Sequence, residues 1–379
     1  MAGIFDYLKW RADIPLSVDP FNEVDNLVLA ELSYTNFSGI VPSDGSEVRL
    51  SDACREFFSR HTKQEIAANK SFTAKAPLLM EEMVEGRRFG SMALRCYLDE
   101  SDDTHQVAAV TFRLEDNTDY VAFRGTDGTV AGWKEDFNFS FMNETEGQRL
   151  AVQYLNGING NLRVGGHSKG GNLAVYASAF CNRQERILEV YSNDGPGFRD
   201  EIVSREEFQR ILPKVTSIVP DSSVIGLLFA GHEEPLVVKS SALGITQHDA
   251  LTWQVNRNRF VRARLSGFSK LIDKSLSNWL ESMDDESRQK FTEIIFSLIE
   301  STGQGRFSSM SKDKWKTTES ILNAIKALPK DQQQEGLRLI GRLGLSSGQT
   351  ILGYLTGLIN KPRTVPAPPD STPTLPEHQ

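Results

Sequence analysis

Residues 164–172 read Val-Gly-Gly-His-Ser-Lys-Gly-Gly-Asn, and Gly166-His167-Ser168-Lys169-Gly170 within them has the form G-x-S-x-G. The pattern describes either a sharp turn that presents a nucleophilic serine or a glycine-rich bend. By composition alone a chain of this length holds such a match about one time in eight, so the match by itself does not decide. Its flanks do. An apolar run, Leu162 to Gly165, leads straight into the serine, and a helix-forming run with Leu173, Ala174, Tyr176 and Ala177 follows it. Strand, tight turn and helix is the setting in which a serine hydroxyl stands exposed above a sheet. Gly166 and Gly170 leave room where a Cβ would strike neighbouring backbone. The helix that starts at Lys169 turns its free N–H groups toward the same point, so the Lys169 N–H faces any oxyanion formed there.

Outward from this turn, strands and helices alternate. Residues 91–98, 105–114 and 119–125 read as extended, the last two joined by the turn-forming Glu115-Asp116-Asn117-Thr118-Asp119 as a hairpin. A helical pattern at 145–158, the strand at 162–166, the helix after Ser168 and a strand at 187–192 then form β-α-β units, which implies a parallel sheet. Further extended runs lie at 215–220 and 235–240, and helical patterns at 51–68 and 75–86. Beyond about residue 260 strand signals cease. Phe268, Leu271, Ile272, Leu276, Trp279 and Leu280 share one helical face, as do Phe291, Ile294, Ile295, Leu298 and Ile299. From Lys361 the chain is rich in proline and short of large apolar residues. The expected organisation is an α/β domain over residues 1–260, an appended helical region over 261–360 and a disordered tail over 361–379.

A net charge of −8, with 39% hydrophobic and 24% charged residues, describes an ordinary globular protein without a surface built for nucleic-acid phosphates. Cys54, Cys96 and Cys181 are odd in number and widely spaced, which suggests neither a disulfide framework nor a cysteine zinc site. Charged residues interrupt the first twenty positions, so no signal peptide is read and cytoplasmic residence is the expectation. No window of about 18 residues is apolar and free of charge, so no membrane span is expected.

A serine hydroxyl needs a base to take its proton and, as a rule, a carboxylate to orient that base. Downstream of Ser168 stand His232, His248 and His378. His378 falls in the tail; His248 follows the last expected strand in a loop with Gly244 and Gln247 and is favoured over His232. Asp221 and Asp194 each follow a strand of the parallel sheet, where such sheets carry functional groups. Asp194 also suits a simple turn in Asn193-Asp194-Gly195-Pro196, and Asp221 suits a helix cap. Thr126, just past the strand from Tyr120, is placed to offer a second oxyanion donor.

Tyr120 to Trp253, with VAFRGT, GWKEDFNFSF, GHSKGG, SIVPDSSVIG and QHDALTW, resembles the class 3, fungal-type lipases. Residues 1–260 as a whole look similar to an uncharacterised bacterial lipase-like family. The resemblance implies an α/β-hydrolase fold with Ser168 as nucleophile, His248 as base, Asp221 as orienting acid in preference to Asp194, and Thr126 with the Lys169 N–H as oxyanion hole. It also implies that Arg124, Trp133 and Asp136 organise the oxyanion loop. Lys169 departs from the pattern, which has an apolar residue there; a cation at that position suits either an anionic substrate or a surface pairing with Asp127 or Glu135, and the pairing is the plainer expectation. The function implied is a serine hydrolase acting on a lipid or other small acyl ester, without metal or organic cofactor. The alternatives are an inactive hydrolase scaffold that binds partners and an acyltransferase or peptidase using the same serine. Residues 127–143, with Trp133, Phe137, Phe139 and Phe141, suit either a lid or a buried aromatic cluster. If the tail is disordered, truncation after Asn360 leaves the melting temperature unchanged, and a lowered melting temperature in calorimetry contradicts that expectation.

Overall fold

The structure is a computed structural model that describes residues 2–69, 72–101, 106–126, 144–223, 225–227, 234–267 and 269. The helical region and tail expected beyond residue 269, the 127–143 segment and His232 lie outside the described residues. Helices α1 (Ile4–Arg11) and α2 (Glu23–Leu32) are followed by β1 (Val48–Arg49), α3 (Leu50–Arg60), α4 (Lys63–Ala68) and α5 (Leu78–Val84). Strands β2 (Ala93–Ser101), β3 (Gln106–Arg113) and β4 (Asp119–Phe123) come next. Then α6 (Glu146–Gly157), β5 (Leu162–His167), α7 (Lys169–Phe180), β6 (Ile187–Asn193), α8 (Asp200–Val203), α9 (Glu206–Ile211), β7 (Val215–Pro220) and β8 (Leu236–Val238) alternate, and β9 (Val255–Asn256) and β10 (Arg259–Phe260) form a small separate hairpin.

Strands β1 to β8 make one sheet in chain order, antiparallel from β1 to β4 and parallel from β4 to β8. This mostly parallel sheet wrapped by helices is an α/β-hydrolase fold. Right-handed crossovers between strands laid down in order put every connecting helix on the same face. Residues of α6, α7, α8 and α9 accordingly share one core with Val121, Phe123 and Val164 of the sheet. The other face is covered by α1, α2, α3 and α5, which bury Tyr120, Ala122, Val110 and Phe112. The alternation of Tyr120 and Ala122 against Val121 and Phe123 is the period of two that a strand buried on both faces needs.

The N-terminal covering depends on a buried ion pair. The Arg88 guanidinium bonds both carboxylate oxygens of Asp25 in α2. It also donates to the carbonyls of Ile14 (3.1 Å), Asp19 (2.8 Å) and Pro20 (3.1 Å), while the Tyr7 hydroxyl of α1 donates to Asp25 at 2.6 Å. Such a pair is stabilising only because its remaining donors and acceptors are satisfied.

Two departures from the sequence reading have local causes. Residues 51–68 read as a single helix, but the helix stops at Arg60 and restarts at Lys63, because Thr62 and Glu65 exchange side-chain bonds with each other's backbone N–H at 3.2 and 2.9 Å. The sequence reading assigned no element to the first 46 residues, where α1 and α2 lie; Val24 to Leu32 are all buried, and the polar Asp25, Asn26 and Glu31 among them erase the apolar stripe. Cys54, Cys96 and Cys181 are free thiols. Among the described residues no helix is long and apolar enough to cross a membrane. Replacing Arg88 by leucine strands the Asp25 carboxylate in the core, and urea unfolding of Arg88→Leu is expected to show a loss of about 3–5 kcal/mol.

Candidate functional site

Ser168 sits between β5 and α7 with φ +58° and ψ −131°, a backbone conformation that costs a non-glycine residue about 1–3 kcal/mol. Packing imposes it. A Cβ on Gly166 would lie 2.3 Å from the Gly170 carbonyl, and one on Gly170 would lie 2.1 Å from the Phe123 carbonyl oxygen, so the ends of β4 and β5 and the first turn of α7 touch backbone to backbone. The Ser168 N–H donates to the Asn193 carbonyl at 2.9 Å, which ties the turn to the end of β6. Beneath it, Asn193 donates to the Gly166 carbonyl (3.0 Å) and accepts from Asn26 of α2 (2.8 Å), and the Tyr120 hydroxyl donates to Asn26 at 2.7 Å.

The carboxylate that meets His248 is that of Asp194. His248 Nδ1 lies 2.7 Å from Asp194 Oδ2, and Asp194 Oδ1 accepts from the Ser223 hydroxyl at 2.5 Å and the Gly226 N–H at 3.1 Å. Asp194 is itself in the left-handed region, at φ +49°. The turn geometry expected of it is present, but its side chain reaches across the site instead of capping its own backbone. Asp221, favoured by the resemblance, is not brought to His248: its Oδ1 accepts from Ser222 at 3.2 Å and its main chain bonds Val238 and Ser266. Sheet order gives the reason. Asp194 follows β6, the direct neighbour of the strand that carries Ser168, whereas Asp221 follows β7, one strand further out.

The loop bearing His248 is held at several points. Gln247 accepts from the Ser222 N–H at 2.8 Å and donates to the Ala242 carbonyl at 3.1 Å. The buried Trp253 indole donates to the Gln247 carbonyl at 2.9 Å. His167 Nε2 bonds the His248 carbonyl at 2.8 Å. Across the site, Asn172 of α7 donates to the carbonyls of Pro196 and Gly197, both at 3.1 Å, and accepts from Gln148 at 2.9 Å, which fixes the loop after Asp194.

Thr126 is buried, and the neighbouring Gly125 packs on the serine turn, where a Cβ would lie 3.1 Å from that of Ser168. Arg124 forks onto Asp99 of β2 with two 3.0 Å bonds and so tethers the start of that loop; Trp133 and Asp136 lie outside the described residues. The surface position expected for Lys169 is overturned, while its expected partners Asp127 and Glu135 lie outside the described residues. Its side chain is fully buried and its ammonium donates to the Gln106 carbonyl at 2.6 Å. The first residue of a helix packed against strand ends has no route to solvent, so the long side chain runs inward to a main-chain acceptor.

Sequence reasoning missed His167, Tyr34 and Glu31. His167 is fully buried, with its Nδ1 3.0 Å from the Tyr34 hydroxyl and 3.4 Å from Glu31 Oε1, and its ring 4.7 Å from that of His248. Burial, with His248 beside it, pushes the imidazole well below the usual histidine range. Burial, with Asp249 nearby, raises the Glu31 carboxyl well above the usual carboxylate range. Both shifts run toward the uncharged forms of the two groups. The position of His167 beside Ser168 was the available signal, but α2, which carries Glu31 and leads into Tyr34, was not recognised as a helix.

A family model described as Mbeg1-like matches residues 83–297. A solved structure titled "Crystal structure of M37 lipase" is similar at 15% identity over 53% of this chain and 68% of that chain, with a TM-score of 0.34. No curated protein matches the sequence.

Glu31 makes stability depend on pH. The folded chain holds the carboxyl proton to a higher pH than the unfolded chain, which releases it at about pH 4.5, so raising the pH above that value favours unfolding through this group. His167 acts with the opposite sign below about pH 6.5, where only the unfolded chain protonates it. Glu31→Gln removes the first effect and keeps the second. Urea unfolding is expected to show the variant gaining about 1 kcal/mol or more on the wild type between pH 5 and pH 8. A constant difference would mean that Glu31 is ionised in the fold.

Proposed function

The chain belongs to the Mbeg1-like family, and from that membership and the geometry around Ser168 we propose that it is a serine hydrolase that cleaves an acyl ester. The observation that carries the reading is the 2.7 Å bond between His248 Nδ1 and Asp194, made at the strand ends where Ser168 is held in a strained turn. A carboxylate can only accept, so Nδ1 carries the proton and Nε2 is left basic. In the proposed reaction Nε2 of His248 takes the Ser168 proton as Oγ attacks the acyl carbonyl. The Lys169 N–H, at the positive end of the twelve-residue helix α7, and Thr126 stabilise the tetrahedral oxyanion. His248 then returns its proton to the leaving alkoxide, and water, deprotonated by the same imidazole, releases the acyl group from Ser168. Asp194 takes the orienting role that the lipase resemblance implied for Asp221. That resemblance points to a lipid or other small acyl ester as substrate, and no step calls for a metal.

An alkyl fluorophosphonate is the direct test. The native chain is expected to label covalently and Ser168→Ala not at all. Asp194→Asn is expected to slow labelling about 10³–10⁴-fold, and Asp221→Asn to remain within about threefold of native. Loss confined to Asp221→Asn would return the acid role to that residue, and an unreactive native chain would favour a binding scaffold. Comparing acyl release from p-nitrophenyl esters with cleavage of matching amides separates esterase from peptidase action.

A further inference from the structure

We infer that His167 is a positioning residue for His248: as a neutral Nε2–H imidazole braced by Tyr34, it fixes the main chain that carries the base and hence the approach of that base to Ser168. The inference rests on the roles proposed above for Ser168 and His248. Its tautomer follows from its partners. The His248 carbonyl 2.8 Å from Nε2 can only accept, so Nε2 bears the proton. The remaining lone pair on Nδ1 then accepts from the Tyr34 hydroxyl at 3.0 Å. Among the described anchors of the His248 loop, Trp253 bonds the Gln247 carbonyl from the segment that follows and Ser222 bonds the Gln247 side chain from the end of β7, whereas His167 is covalently joined to the nucleophile. Because Ser168 is locked by the contact of Gly166, Gly170 and Phe123, His167 is locked with it, and its bond to the His248 carbonyl carries the geometry of the serine turn to the base. The two imidazoles pack at 4.7 Å with planes 36° apart, so His167 also forms a wall for the His248 ring. A cation in that wall would oppose proton uptake by His248, and burial disfavours the charged form of the His167 ring.

The test uses the full chain with an alkyl fluorophosphonate and a double-mutant cycle. His167→Phe, which keeps a ring but no nitrogen, is expected to slow labelling about tenfold or more, and Tyr34→Phe about three- to tenfold. His167→Gln is expected to recover most of the rate, since its amide N–H can reach the same carbonyl. In a His248→Ala background none of these changes is expected to slow the residual reaction further. A native rate in both His167→Phe and Tyr34→Phe overturns the inference. So does an equal fold-loss with and without His248, which would put the effect on the serine turn itself. Imidazole ¹⁵N spectra give a second readout that needs no turnover. The native chain is expected to show His167 protonated on Nε2 alone, and the low-field Nδ1 proton of His248 is expected to broaden or vanish in His167→Phe and in Tyr34→Phe to a lesser degree. An unchanged His248 signal in both variants overturns the inference. A native chain that ignores the probe counts against the serine-hydrolase reading alone, and the spectra still decide the role of His167.

Discussion

Three lengths of backbone converge where β4, β5 and α7 meet, with no side chain between them. The contact is closer than any Cβ at Gly166 or Gly170 would permit, and it forces Ser168 into a conformation that its own preferences oppose. Much of the surrounding architecture holds this junction in place. The Ser168 N–H is bound to the end of β6, Asn193 and Asn26 lock β6 and α2 beneath it, and the two cores clamp the sheet from either face. The strain at one residue is thus offset by packing spread over the domain.

The same junction organises the polar groups above it. Asp194 leaves β6 in a left-handed turn and meets His248, whose loop is bonded to Trp253, to Ser222 through Gln247, and to His167. Each anchor acts on main chain or on a ring nitrogen, so the imidazole has little freedom left. Low local polarity adds to this, because an unmade bond in a buried network is costly. The buried Lys169 ammonium follows the same rule from the other side, ending on a main-chain carbonyl where no solvent reaches it.

Much of this was legible in the sequence. The alternation of apolar runs and helical patterns around residues 145–192 implied the parallel sheet, and the flanks of Ser168 implied the tight turn at the right residue. His248 was readable as a late histidine in a glycine-containing loop. The choice between Asp194 and Asp221 was not, because both follow strands of the same sheet and only their distance from β5 separates them. Helix α2 was hidden for a physical reason: it is buried nearly all round, its inward-facing Asp25 and Asn26 find partners contributed by Arg88 and Tyr120, and Glu31 lies against His167, all far away in sequence. A pattern that depends on distant partners leaves no local period to detect.

Strand order has one more consequence. In doubly wound sheets the order reverses partway, and the reversal opens a crevice between helices that leave in opposite directions. Strands β4 to β8 run in unbroken succession, so no such reversal exists among them. The space beside Ser168 is therefore bounded, among the described residues, by the segments that leave β5, β6 and β8 and by the end of α2 reaching over from the opposite face. Its shape is a property of those excursions and not of the sheet, so their lengths and side chains can diverge and reshape that space while the two cores below stay unchanged.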